Sequence, residues 1–134
     1  MLNRAFTMLE TILGGASAPG QASRRAAAAF NLPNRDVDPS VRGVMDSDAI
    51  LWFGPTTTAE AHAAAAACLE FRTPFMPVYP DASFEPAHIA RWLHETQIRI
   101  LHVDGCHEDQ DPGIGERVEW FLIEVFRLLG HKGG

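Results

Sequence analysis

The amino-acid sequence predicts one α/β domain, a three-layer sandwich built on about four parallel strands. Three observations lead there. Short apolar runs of strand length alternate with longer stretches of helical character. One of them, Ala49 to Phe53, is continuously apolar, as a strand buried on both faces by helices should be. Loops bearing glycine, proline and threonine close the runs on their carboxyl side, where open parallel sheets hold their ligands. A chain of 134 residues suits a single domain spanning 1–134.

The elements follow in order. A first strand is expected over residues 7–13, followed by the loop Gly14-Gly15-Ala16-Ser17-Ala18-Pro19-Gly20 and an alanine-rich helix over about 21–30. Residues 31–39 hold two prolines, two asparagines and two aspartates, a loop composition, and a short helix is expected over 40–45. The second strand is Ala49 to Phe53, stopped by Gly54-Pro55. Thr56 or Thr57 can cap the helix that runs to about Phe71, with Glu60 in its first turn. A third strand over 75–79 is closed by Pro80, and Ser83 precedes a helix over about 85–96. The fourth strand, over 98–103, leads through a polar loop to a last helix over about 114–129, which Gly130 ends. The alanine runs at 26–29 and 63–67 favour helix and allow close packing on a sheet.

Composition narrows the function. The formal charge of -6 argues against nucleic-acid binding, which needs a basic face. Two cysteines, Cys68 and Cys106, are too few for a disulfide framework and read as free thiols in a reducing compartment. No signal peptide is read, and no apolar stretch approaches the roughly 20 residues of a membrane span. A cytoplasmic location without membrane contact is therefore expected.

Three loops could carry chemistry. In the first, glycines at 14, 15 and 20 allow close backbone approach before a helix start that can hold an anion, with Arg24 one turn in. A plain strand-to-helix turn has the same composition. The second, Gly54 to Glu60, gathers the hydroxyls of Thr56, Thr57 and Thr58 at a helix start; simple N-capping explains it equally well, and for this loop alone is preferred. The third, Asp104 to Gly113, mixes Cys106, His107 and four acidic residues. His102, Cys106 and His107 match no zinc-ligand spacing, so no metal is expected and a solvated acidic loop is the simpler reading. His62, His88 and His94 fall in predicted helices and are expected at the surface.

Taken together, these loops resemble a known group. Gly14-Gly15 followed by Ser23-Arg24-Arg25-Ala26-Ala27 is similar to the Gly-Gly-Gln-Thr-Gly-x-Asp-Arg-Ala opening of the putative molybdenum carrier family. Ser47-Asp48-Ala49 before Ile50-Leu51 resembles its Asp-Ser-Asp-Ala-Thr-Leu-Ile segment, and Gly54-Pro55-Thr56-Thr57 its Gly-Pro-Leu-Thr-Gly-Gly-Thr. Gly105-Cys106-His107-Glu108 with Pro112-Gly113-Ile114 matches its Gly-Pro-Arg-Glu…Pro-Gly-Ile loop at the same spacing. That family sits in a Rossmann-like superfamily with the lysine-decarboxylase-like proteins and phosphoribohydrolases. Here Thr57-Thr58-Ala59 replaces Gly-Gly-Thr, and the segment between the first helix and Arg42 is shorter, so less room is left for a pyrophosphate.

The resemblance implies a small Rossmann-like domain that binds a phosphorylated, nucleotide-like or pterin cofactor, with molybdopterin one candidate. Gly14, Gly15, Ser17 and Gly20 would then cradle the anion, with Gly54, Thr56, Thr57 and Thr58 at the second helix start. Arg24 and Arg42 would neutralise charge, Glu108 would bond a sugar or ring donor, and Gly105 would belong to the same binding site. An alternative is a nucleoside-monophosphate N-glycosidase using Arg42 and Glu60, and another is a shortened relative that only oligomerises. On the last helix, Ile114, Val118, Phe121, Leu122, Val125, Leu128 and Leu129 form a stripe expected to face the sheet. Trp120 and Ile123 are expected on the far side, in a patch that predicts a two-fold homodimer. The same face could instead be covered by the segment holding Leu2 and Phe6.

Overall fold

The computed structural model describes residues 9–37, 40–79 and 85–131. The strands are β1 (Thr11–Gly14), β2 (Asn34–Asp36), β3 (Ala49–Phe53), β4 (Phe75–Val78) and β5 (Ile100–Gly105). The helices are α1 (Ala18–Ala29), α2 (Ser40–Asp46), α3 (Ala59–Phe71), α4 (Pro86–Glu95) and α5 (Ile114–Leu128). The α/β class and parallel sheet are those expected, with five strands where about four were predicted, in the order β2-β1-β5-β3-β4. The added strand is β2, whose Asn-Arg-Asp sequence is exposed throughout. A polar edge strand needs only one partner and no apolar run, which is why its composition reads as loop.

The boundaries differ where capping decides them. Helix α1 starts earlier than expected because the Ser17 side chain accepts from the Gly20 amide and proline is tolerated in the first turn. The cap of α3 is Thr58, not Thr56 or Thr57, its hydroxyl accepting from the Ala61 amide. At its other end Arg72 takes the left-handed conformation that closes a helix. The expected beginning of the first strand at Thr7, the stop at Pro80, Ser83 and the Leu2–Phe6 cover lie outside the described residues.

The sheet is covered on both faces. On one side α1, α4 and α5 pack on Ile12, Leu51, Phe53, Leu101 and Val103, with Phe53 edge-on to Phe121 at 5.7 Å. On the other, α2 and α3 cover Ile50 and Trp52 through Val44, Ala61, Ala64 and Cys68. The buried alanines Ala22, Ala26 and Ala27 let α1 lie close against α5 and β1. The stripe on α5 faces inward as expected, except that Leu128 is 47% exposed and Phe126 is buried in its place. Ile123 does not join Trp120 outside: it packs against the core, because α5 is flanked by both α1 and α4 and buries a wider face. Trp120 remains 66% exposed. His62 and His88 are exposed and His94 is half-buried. No helix among the described residues is long and apolar enough to cross a membrane.

The strand order has one further consequence. Placing β5 first in the chain would turn β2-β1-β5-β3-β4 into the doubly wound order 3-2-1-4-5. The helix after β5 covers one face and the helix after β3 the other. The carboxyl ends of these neighbouring strands therefore diverge into a crevice, the position where such sheets bind ligands.

Candidate functional site

A crevice of about 160 Å³ opens at that point. The loop after β1 contributes Ala16 and Ser17, and the residue after β2 contributes Val37. Trp52 from β3 and Glu60 from the first turn of α3 form a second side. Asp104 and Gly105 at the end of β5, with His107 just beyond, complete it. The lining is mixed: Ala16, Val37 and Trp52 are apolar, while Ser17, Glu60, Asp104 and His107 are polar.

Asp104 is the centre of the polar part. It is only 6% exposed, and its Oδ1 accepts from the Ser17 hydroxyl and from the Gly105 amide, the latter at 3.0 Å. Behind it lies His102, wholly buried, with Nε2 3.8 Å from Asp104 Oδ2 and no hydrogen-bond partner at either ring nitrogen. Burial lowers the His102 pKa, with the Asp104 charge opposing more weakly, so the imidazole is neutral at neutral pH and the 3.8 Å approach is not an ion pair. The ring lies against Gly43, where a Cβ would sit 2.7 Å from Cε1.

The glycines of the first loop have partners within the chain. A Cβ at Gly14 would collide with the Gly20 carbonyl, and one at Gly20 with the Gly15 carbonyl, so this pair lets α1 meet β1 backbone to backbone. A Cβ at Gly15 would fall 2.5 Å from Asp104 Oδ2. Gly105 faces Phe53 across the sheet at a place where a side chain would strike the Phe53 carbonyl. Gly54 has φ +136° and abuts Cys106.

Of the residues anticipated from sequence, Ser17, Gly105 and Glu60 line the crevice together, and Gly15 lies directly beneath Asp104. Thr58 caps α3, Thr56 is half-buried and Thr57 is exposed at the rim of the same helix. Arg24 extends toward Asp36 at 4.0 Å, with Nε buried and unpartnered, and Arg42 is exposed on α2; neither lines the crevice. Glu108 accepts from the Gly113 and Gly115 amides at 2.8 and 2.9 Å, holding the start of α5. Those bonds hold its carboxyl below the ordinary glutamate range. Burial pushes the Cys68 thiol up to about 11 and also raises Cys106. Among the described residues no three of His, Cys, Asp and Glu come together as metal ligands.

Asp104, His102, Trp52 and Val37 were not singled out in the sequence as site residues. The signal present was a His and an Asp inside or ending a strand otherwise buried, since such groups seldom enter a core without a partner.

This fold and crevice define a class: a small doubly wound α/β domain in permuted order, with its cleft at the switch point. The Circularly permutated YpsA SLOG family model matches residues 14–126, and the chain belongs to that family. Comparison with curated proteins yields no match. Among solved structures, the chain is similar to a putative molybdenum carrier protein from Syntrophus aciditrophicus SB, with a TM-score of 0.72. The identity is 16%, over 88% of this chain and 94% of that one, a likeness of fold. The molybdenum-carrier resemblance read from the loops is thus borne out in family and architecture.

Proposed function

We propose that the chain binds a phosphorylated small molecule of nucleotide or pterin type across the crevice between β3 and β5. The observation that carries this reading is the crevice itself, at the switch point of the sheet and lined from four of its five strand ends. The phosphate belongs at the start of α3 rather than of α1. In α3 the Ala59 and Glu60 amides have no partner within the helix, and Thr56 and Thr57 immediately precede its Thr58 cap. At α1 the Gly20 amide is bonded to Ser17, Pro19 has no N–H, and a carboxylate already occupies the position. Arg42, and Arg24 from the β1–β2 side, add positive charge from outside the cleft.

The crevice is smaller than the roughly 300–1,000 Å³ of a site enclosing a whole drug-sized ligand. It holds one moiety and leaves the remainder at the rim, which fits a nucleotide better than an enclosed molybdopterin. The test is thermal unfolding with inorganic phosphate, nucleoside mono- and diphosphates, pterin phosphates and molybdate. A binder at a hundred times its dissociation constant should add about 2.7 kcal/mol of stability. A midpoint unmoved by every compound would overturn the reading.

A second reading is favoured by one feature: two carboxylates, Asp104 and Glu60, line one cleft. In a nucleoside-monophosphate N-glycosidase, one of them would stabilise the positive charge that develops at the sugar as the base departs. Release of free base from nucleoside monophosphates, lost in Glu60→Gln, would establish it. Self-association is a separate part of the proposal. Trp120, with Glu116 one turn before it, is the centre of the expected two-fold contact. Light scattering of the wild type and Trp120→Glu tests it, and a monomeric wild type at micromolar concentration would rule it out.

A further inference from the structure

We propose that copies of this chain join head to tail, the outer side of α3 in one copy seated on the α4–α5 face of the next. The inference does not depend on any ligand. It starts from the alanine run of α3. Between Glu60 and Glu70 that helix holds alanines, Cys68 and Leu69, with His62 the one polar side chain. A helix lying on a sheet ordinarily turns a polar face to solvent, and one that is apolar all round is ordinarily covered. Ala61, Ala64 and Cys68 pack toward the sheet. Ala63 and Ala66 do not: they are exposed, and Leu69 is 83% exposed.

Packing within the chain therefore explains alanine on the inner side of α3 and not on the outer. On the outer side a groove of about 550 Å³ is lined by these alanines, by Val44 of α2 and by two acids, Glu60 and Glu70. Among the described residues no base lines it. The opposite layer carries the complement. There a groove of about 250 Å³ lies between α4 and α5, lined by Ala87, Ala90, Arg91, His94, Leu128 and Leu129. Among the described residues no acid lines it, and Leu128 stands 47% exposed.

The two grooves match in charge and in size of side chain. Arg91 and Glu70 are both exposed, one at the rim of each. A floor of alanines leaves room for a large side chain, and Leu128 supplies one, with Arg91 near it to meet Glu70. Helices α2 and α3 cover one face of the sheet, while α4 and α5 cover the other. One chain cannot bring its own two grooves together, and a second copy can. Because the surfaces differ and point away from each other, the contact is heterologous. It repeats from copy to copy, giving a ring or an open chain, and is separate from the two-fold contact proposed at Trp120.

The experiment is sedimentation velocity of the full chain at rising concentration and low salt, with Glu70→Arg, Arg91→Glu and an equimolar mixture of the two. The wild type should grow past two copies. Each single variant sets like charges against each other and should weaken that association at least about tenfold. The mixture should recover it, since each variant's reversed charge then finds its opposite on the other variant. A substitution that merely damaged the fold would not be repaired by mixing. Growth should persist in Trp120→Glu, and its loss there would overturn the proposal by placing the contact at Trp120. A wild type that stays monomeric or stops at a dimer would overturn the second copy as the occupant of α3. Single variants that associate like the wild type, or a mixture that does not recover, would overturn the pairing of these two faces.

Discussion

Two helix starts face the same cleft and differ in what fills them. At α1 the chain has supplied its own anion: Ser17 caps the helix and donates to Asp104, and the glycines around it make room for backbone and carboxylate. At α3 the cap is Thr58 alone, the neighbouring Thr56 and Thr57 are half-buried and exposed, and the only acid in the first turn, Glu60, borders the crevice. A glycine-rich turn before a helix thus does not by itself mark an anion site, because the same glycines are needed when the chain folds an acid into that position. The proposed phosphate site is the one whose composition looked more ordinary.

The largest test of this contrast is Gly20→Ala. Its Cβ would meet the Gly15 backbone, which cannot yield as a flexible side chain can, so a loss of about 3 kcal/mol or more is expected in chemical denaturation. A loss below about 1 kcal/mol would mean that α1 does not approach β1 this closely. Next, the two caps should differ. Ser17→Ala removes a cap and a donor to a buried carboxylate, about 2–3 kcal/mol together, whereas Thr58→Ala removes only a cap, about 1 kcal/mol. Equal losses in denaturant melts would erase the distinction between the two starts.

Smaller still is Glu60→Gln, which should leave the fold unchanged and tighten phosphate binding by about 0.3–1 kcal/mol by removing a competing charge from the first turn of α3. Weaker binding in calorimetry would place the phosphate elsewhere. The least effect belongs to Glu108, the acid that fills the start of α5. Its folded pKa lies below its ordinary value of 4.5, so its contribution is present above that pH and is lost as pH falls through the lowered folded value. Melting temperatures of the wild type and Glu108→Gln should therefore converge as the solution is acidified below 4.5, the variant lying lower at neutral pH. A gap that stays constant with pH would remove Glu108 from this role.

Much of the fold was legible because it is written in local periodicity. The run Ala49–Phe53 had to be a strand covered on both faces, and α3 and α5 show their length and limits in composition and terminal residues. Strand β2 was not legible, since an edge strand of Asn34, Arg35 and Asp36 carries no apolar signature and exists only because β1 is beside it. Leu128 and Phe126 exchanged places for a related reason: how much of α5 is buried depends on having helices on both flanks, which a single-face periodicity does not encode.

The site divides along the same line. Sequence alone determined the α/β class and the parallel strands, which follow from alternation, and pointed to a candidate site in the loops at their carboxyl ends, from where glycine, proline and threonine fall. Tertiary structure alone decided that the last strand, β5, enters the middle of the sheet between β1 and β3. That insertion brings Asp104 to Ser17 across 87 positions of chain and sets it opposite Trp52 and Glu60. Burial and hydrogen bonding between residues so distant are settled by the packing of whole elements, and no local pattern of side chains records which strands will become neighbours.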